Sequence, residues 1–144
     1  METQNYANHR QSVFLYHRVL LPVVALTFIG SIVNLIQSWG NHERIYSASL
    51  IVVLTLCMAV ATLFARIFPL KAQDRAIRAE ENLRYFVLTG KLPDPRLTVR
   101  QIVALRFAPD TELVALANRA ADESLAPDDI KRAIKNWRAD TYRA

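Results

Sequence analysis

Two long stretches without charged side chains constrain the fold of this chain more than any other feature. The first covers residues 19–39, and the second covers residues 47–67, in which Arg66 near the end is the only charged residue. Each stretch matches the ~20 residues that a helix needs to cross the ~30 Å hydrocarbon core of a membrane. The chain has 144 residues, which are too few to surround two such helices with a soluble shell. The sequence therefore predicts two transmembrane helices.

The composition of the two stretches favours insertion into a membrane. The first contains twelve residues of the types Leu, Ile, Val and Phe, and the second contains ten. At about −0.3 to −0.6 kcal/mol for each residue, they favour insertion by about 4–7 and 3–6 kcal/mol. Asn34 and Gln37 oppose the insertion of the first stretch but do not cancel it. A cleaved signal peptide is disfavoured, because the first stretch is too long for one and no small-x-small cleavage site follows it.

The short connection at residues 40–45 predicts an antiparallel helical hairpin. Trp39 and Tyr46 flank this connection, as aromatic side chains do at a membrane interface. The basic residues near the span ends are Arg44 in the connection and, on the other side, Arg10, Arg18, Arg66, Lys71, Arg75 and Arg78. Because cytoplasmic loops carry the excess of Lys and Arg, this distribution predicts that both termini are cytoplasmic.

The predicted fold is therefore all-α, with a two-helix transmembrane hairpin followed by a small helical cytoplasmic module. The predicted division is a cytoplasmic N-terminal segment at residues 1–18, a first transmembrane helix at 19–39, an external loop at 40–46, a second transmembrane helix at 47–68 and the module at 69–144. Pro69 predicts the end or a kink of the second span. Beyond it, the pattern predicts a helix over residues 70–88 that stops at Gly90.

Start signals predict three further helices in the module. Thr98 and Gln101 have the spacing of a capping box, which predicts a helix to about residue 107 or 108. Pro109 and Pro127 open the next two helices, each followed by acidic residues in its first turn. Apolar spacing predicts a core that contains Leu105, Leu113, Leu116, Ile134 and Trp137. Charge spacing predicts ion pairs between Asp74 and Arg78 and between Glu80 and Arg84.

Several sequence blocks together resemble a known family. They are QNYANH at residues 4–9, QDRAIR at 73–78, EENLRYF at 80–86, LTGK at 88–91, LT at 97–98, QIVALRF at 101–107 and IKRAIKNW at 130–137. The chain resembles, over nearly its whole length, a bacterial family of short membrane proteins classed as a domain of unknown function. The resemblance implies a two-span bacterial protein with a helical cytoplasmic tail, and it implies no activity. Pro109 departs from the small polar capping residue expected there.

The sequence gives no pattern typical of an active site, a metal site or a cofactor site. The three histidines are His9, His17 and His42, and the predicted topology separates His42 from the other two. Cys57 is the single cysteine and lies in the second span, so no zinc-ligand spacing exists. Three glycines provide no phosphate-binding loop. Glu80 and Glu81 are adjacent carboxylates whose charged surroundings favour a role in ion pairs. We expect a protein without enzymatic activity, metal or cofactor.

A polar stripe marks one face of each predicted span. The candidate interhelical or oligomer contacts are Gly30, Asn34 and Gln37 in the first span and Thr55, Ala59 and Thr62 in the second. Small and hydroxyl residues allow close helix packing, and amides form hydrogen bonds between helices. The stripes predict packing within the hairpin or between copies. The alternative is a polar pathway lined by Asn34 and Gln37.

Basic residues form the candidate contacts with anionic lipid or with a partner. They are Arg66, Lys71, Arg75, Lys131, Lys135 and Arg138, the last three on one face of the predicted last helix. Nucleic-acid binding is disfavoured because acidic residues surround that face and reduce its field. We expect a protein of the bacterial inner membrane that self-associates, or binds a membrane-protein partner, as an anchor or scaffold. The alternatives are a small oligomeric pore or accessory transporter subunit, and a membrane-tethered nucleic-acid binder.

Overall fold

The computed structural model describes residues 4–8 and 13–140, which are helical or irregular with no strand. The predicted all-α class is confirmed. His9 and Arg10, which entered the sequence comparison and the charge count above, lie outside the described residues. Contacts divide the chain into two compact units. We call Ser12–Phe68 the hairpin, and we call Met1–Gln11 together with Pro69–Ala144 the module.

The first apolar stretch forms helix α1, Leu21–Gln37, which follows a π-helical segment at Leu15–Leu20. The helical structure thus begins four residues before the predicted start at residue 19. The wide π turn directly precedes Pro22, whose ring crowds the carbonyl of the residue four positions earlier, so a wider turn relieves that contact. The backbone N–H of Leu21 bonds to the carbonyl of Tyr16, five residues back.

The second apolar stretch lies within helix α2, which runs without interruption over His42–Thr89. It begins five residues before residue 47, because the Asn41 side chain accepts the Glu43 and Arg44 N–H groups and caps the helix. Of the two predicted outcomes at Pro69, an end or a kink, the end is wrong, because the helix continues through this residue. Proline removes one backbone donor, but its fixed φ is compatible with helical geometry. The predicted stop at Gly90 is confirmed, with φ of +71°, a conformation that glycine adopts without strain.

Within the hairpin, α1 and the hairpin part of α2 run antiparallel and touch through small and hydroxyl side chains. The hydroxyls of Ser31 and Thr55 lie 3.0 Å apart, and the Tyr16 hydroxyl donates to the carbonyl of Thr62 at 2.7 Å. Ser38 and Ala48, on either side of the connection, are buried. The large apolar side chains instead point outward along both helices.

Three short helices complete the module: α3 at Val99–Leu105, α4 at Asp110–Asp122 and α5 at Pro127–Ala133. The predicted capping box is confirmed, since the Thr98 side chain accepts the Gln101 N–H and the Gln101 side chain accepts the Thr98 N–H. Helix α3 ends two or three residues earlier than predicted. The reason is that Pro109 disfavours helical geometry at the preceding residue.

The core of the module confirms four of the five predicted residues, because Leu105, Leu113, Leu116 and Ile134 are buried. Trp137 is partly buried and packs against the core, so its predicted core position is confirmed in part. Its predicted place in the last helix is wrong. The fifth helix ends at Ala133, and Ile134 is extended. The backbone that follows bonds to other parts of the module, as described below, and therefore does not continue the helix.

Candidate interaction surfaces

The hairpin contact is built around hydroxyl groups rather than amides. The Thr55 hydroxyl donates to the carbonyls of Ile51 and Val52 in its own helix while it touches Ser31. The Ser31 hydroxyl also bonds within its helix, to the carbonyl of Phe28. These bonds satisfy the hydroxyls locally and leave the two helices close together. Ser31 directly follows the predicted contact residue Gly30 and is not itself among the predicted contacts.

The six residues of the predicted polar stripes divide between contact and exposed positions. On α2, Thr62 is buried and Thr55 and Ala59 are half-buried, at or near the hairpin contact. On α1, the three residues Gly30, Asn34 and Gln37 are exposed. A Cβ atom added at Gly30 would meet no atom within 4 Å. The first stripe is therefore free to contact another molecule rather than the second helix of the same hairpin.

A network of charges joins three parts of the module. The Arg84 guanidinium lies 2.9 Å from Glu81 and 2.6 Å from Asp110, and it donates to the Ala108 carbonyl at 2.8 Å. Arg138 lies 3.6 Å from the other oxygen of Glu81. The Glu81 and Arg84 side chains are 9% and 13% exposed, so this network is well shielded from water. The predicted partner of Arg84 was Glu80, which is exposed; that pairing is wrong.

The predicted basic face of the last helix is wrong as a helix face, because only one of its three residues lies in α5. Lys131 pairs with Asp128 in the first turn of α5, whereas Lys135 and Arg138 follow the end of that helix. The Arg138 guanidinium lies 3.6 Å from Glu81, and the Arg138 backbone N–H donates to the Phe107 carbonyl at 2.8 Å. The remaining predicted cations are Arg66, which is half-buried, and Lys71 and Arg75, which are exposed.

A carboxylate at the start of α4 binds the first residues of the tail after α5. Glu112 accepts hydrogen bonds from the backbone N–H groups of Lys135 and Asn136 and from the Asn136 side chain, at 2.9–3.1 Å. The bond from the Lys135 backbone is the main reason that the pKa of Glu112 is lowered from its usual value, with the two Asn136 bonds adding to it. The ionised form of Glu112 thus favours the docked tail.

Acidification is expected to release this tail. Because the Glu112 pKa is lower in the folded state than in the unfolded state, its stabilisation is present above the unfolded value of about 4.3 and is lost as the pH falls through the folded value. The Trp137 emission should shift to the red as the pH falls through the lowered Glu112 pKa, in a Trp39→Phe background. In Glu112→Gln, which has no titrating carboxylate there, this step should be absent. Identical acid profiles with and without the carboxylate would contradict the assignment.

The first residues of the chain belong to the same unit as its last helices. The Gln4 side chain accepts the backbone N–H of Asp140 at 2.7 Å, and the Arg132 guanidinium lies 5.2 Å from the centre of the Tyr6 ring. The hydrogen bond to Tyr6 is the main reason that the pKa of Arg132 is raised. The segment before α1 and the segment after α2 are thus joined in one compact unit.

The amino-acid sequence matches one protein family along its whole length. The sequence model of a family of unknown function, DUF6526, matches residues 1–144. The chain belongs to that family. No curated protein and no solved structure matches the chain. The resemblance to a family of unknown function is confirmed over the whole chain, and membership of DUF6526 assigns no activity.

Among the described residues of this DUF6526 member, cavities and titratable clusters are modest. A cavity of about 10 Å³, close to the size of one water molecule, is lined by Asn82, Tyr85 and Leu97 among others. The Asn82 side-chain oxygen is buried without a hydrogen-bond partner. An open groove of about 380 Å³ lies beside Arg84, Pro109, Asp110 and Arg138, where both arginines already pair with carboxylates. No group of three or more His, Cys, Asp or Glu residues within the described ranges is arranged to hold a metal ion.

Proposed function

We propose that this protein is a non-enzymatic membrane anchor that presents its helical module to a partner at the membrane surface. The observation that carries the proposal is the exposure of apolar side chains along the hairpin. Two helices are long and apolar enough to cross a membrane, and only 6% of the most apolar 18-residue window of the first is buried. A core helix of a soluble protein has most of its apolar residues buried, so these side chains need another apolar environment.

The polar groups of the hairpin also support a lipid environment. The hydroxyls of Thr27, Ser38 and Thr62 each donate to the carbonyl four residues earlier in the same helix. In hydrocarbon, a hydroxyl without a partner is unfavourable, and a bond to its own helix removes that cost. Thr27 is exposed, so its hydroxyl is compatible with lipid on the outer surface of α1, whereas Ser38 and Thr62 are buried in the hairpin.

We further propose that the membrane is the bacterial inner membrane and that both ends of the chain are cytoplasmic. The joining of Gln4 and Tyr6 to the last residues of the module supports a common side for both ends. The excess of Lys and Arg outside the connection supports the cytoplasmic side. The connection between the helices would then face the opposite compartment.

Membrane anchoring is tested with the full chain reconstituted in vesicles of phosphatidylethanolamine and phosphatidylglycerol. The proposal predicts that the protein floats with the vesicles in a density gradient and stays with them after extraction at alkaline pH. A protein that only charges held at the membrane surface would instead be removed by the alkaline extraction. Release of the full chain into the aqueous fraction would contradict the anchor.

Self-association is the first proposed role of the anchor, and Asn34 is its most specific residue. Its exposed amide faces hydrocarbon in the proposed orientation and gains a partner when two copies meet. Asn34→Leu is expected to lower the association constant about threefold, from ~0.6 kcal/mol for one interhelical hydrogen bond. The association constant is measured by native mass spectrometry of the protein released from detergent micelles. Val33→Leu, an exposed neighbour, serves as the control, and equal association of the two variants would contradict a role for Asn34.

A pore or an accessory transporter subunit is the second candidate function. It is favoured by the exposed stripe of Thr27, Gly30, Asn34 and Gln37, which in an oligomer would line a polar pathway. Ion flux through vesicles that contain this protein alone would support it. A membrane-tethered nucleic-acid binder is the third candidate, and it is less favoured because Lys131 and Arg138 each lie beside a carboxylate.

A further inference from the structure

The module part of α2, residues 69–89, carries apolar residues on two opposite sides, one of them buried and the other exposed. One side carries Ile77, Glu81 and Tyr85, which are buried against the rest of the module. The other side, which we call the outer face, is exposed and carries Ala72, Ala76, Ala79, Leu83, Phe86 and Val87. Leu83 is 64% exposed and Val87 is 74% exposed. A helix with an apolar stripe on each side has one stripe still available for another surface.

The spacing along the outer face is that of a coiled-coil contact. Ala72, Ala76, Ala79, Leu83 and Phe86 follow one another at intervals of four, three, four and three residues. These intervals place Ala76 and Leu83 at position a, and the other three at position d, of successive heptads. The alanines permit a close approach of two helices, while Leu83 and Phe86 provide the larger side chains of the contact.

The charges beside the stripe are complementary to a second copy of the same helix. Arg75 lies at position g and Glu80 at position e of the next heptad, and both are exposed. In a parallel pair of helices, position g of one faces position e of the other five residues further along. Arg75 of each copy would therefore face Glu80 of the other, which gives two symmetric ion pairs. In an antiparallel pair, positions g face positions g, so Arg75 would not meet Glu80.

We propose that the outer face binds the outer face of a second copy in a parallel helix pair. The parallel direction rests on the proposed function, because two hairpins inserted with the same topology present their α2 helices in the same direction. A lipid surface fits this face less well. Membrane-binding amphipathic helices are rich in Lys and Arg beside the apolar face. Here one edge of the outer face carries Arg75, but the other edge carries Glu80, which anionic lipid would repel.

Cysteine cross-linking of the full chain tests the contact. In a Cys57→Ser background, Leu83→Cys is reconstituted in vesicles of phosphatidylethanolamine and phosphatidylglycerol and oxidised with copper phenanthroline. The parallel pair brings the two residues at position a together, so a disulfide-linked species of twice the 16.4 kDa chain mass should form. Arg78→Cys, exposed elsewhere on the same helix, is the control and should cross-link weakly. Equal cross-linking at both positions would overturn the proposal.

Charge reversal supplies the second arm of the test. Arg75→Glu in the Leu83→Cys background places two acidic pairs across the contact and should reduce the association constant about three- to tenfold. Glu80→Arg alone should do the same, and the two together should restore the wild-type level. Failure of the double variant to restore cross-linking would overturn the pairing of Arg75 with Glu80.

Flotation of the same vesicles separates this proposal from the anchor itself. Protein that floats but does not cross-link through Leu83→Cys would contradict the helix pair and leave the anchor supported. Protein that does not float would contradict the anchor. If Leu83→Cys is protected from a water-soluble maleimide by vesicles, without formation of dimer, the outer face binds lipid and the proposed partner is wrong.

Discussion

Phe107→Ala is expected to lower the free energy of unfolding of the module by about 3–5 kcal/mol. The Phe107 side chain is 1% exposed, and its ring centre lies 4.9 Å from that of Trp137. Removal of a fully buried ring loses its transfer free energy and leaves a cavity that the short helices around it fill only in part. A module of this size has a total stability of only several kcal/mol, so the variant should be largely unfolded at 37 °C.

The measurement is hydrogen exchange of the full-length protein in detergent micelles, read on peptides from α3 to α5. Leu92→Ala is the matched control, because Leu92 belongs to the same unit but is exposed in the loop after α2, and it should change stability by less than ~0.5 kcal/mol. Equal protection of the two variants would show that Phe107 is not part of a cooperative core.

Glu81→Gln is expected to destabilise the module by about 2–4 kcal/mol. The substitution keeps the size of the side chain but removes the charge that Arg84 and Arg138 face. A shielded cation that loses its partner retains the cost of its own desolvation, which makes the loss larger than the worth of the pair. Asp110 and the Ala108 carbonyl still bind Arg84, which keeps the effect below that of a completely unpaired charge.

Glu80→Gln is the matched control for this prediction. The two glutamates are adjacent, yet Glu80 is exposed and Glu81 is buried. Glu80→Gln should therefore change module stability by less than ~0.5 kcal/mol. Urea unfolding in micelles, followed by Trp137 emission in a Trp39→Phe background, measures both. A larger effect at Glu80 than at Glu81 would restore the sequence-based pairing with Arg84 and contradict the network described here.

The sequence predicts those elements whose signals are local. The capping box at Thr98 and Gln101 and the stop at Gly90 depend on residues a few positions apart, and both are confirmed. The class of the fold follows from the two uncharged stretches and from helical periodicity without any long-range information. These features need no knowledge of what else packs against the helix.

The errors arise where a distant partner decides the outcome. Spacing alone pairs Glu80 with Arg84, but Arg84 also binds Asp110 at the start of α4, and the neighbouring Glu81 is the carboxylate buried beside it. The last helix ends early because Glu112 binds the backbone N–H groups of Lys135 and Asn136, and that carboxylate lies more than twenty residues away. The outer face also depends on distant residues, because it is the side of the helix that the rest of the module leaves exposed.

The most direct test of the central claim is the accessibility of single cysteines on the two proposed sides of the membrane. In a Cys57→Ser background, His42→Cys in the connection and Thr111→Cys on the exposed surface of α4 are treated with a membrane-impermeant maleimide in intact bacterial spheroplasts. The account predicts that position 42 is labelled at once and that position 111 is labelled only after the membrane is opened. Labelling of position 111 in intact spheroplasts, or of position 42 only after permeabilisation, would contradict a hairpin anchor with both ends in the cytoplasm.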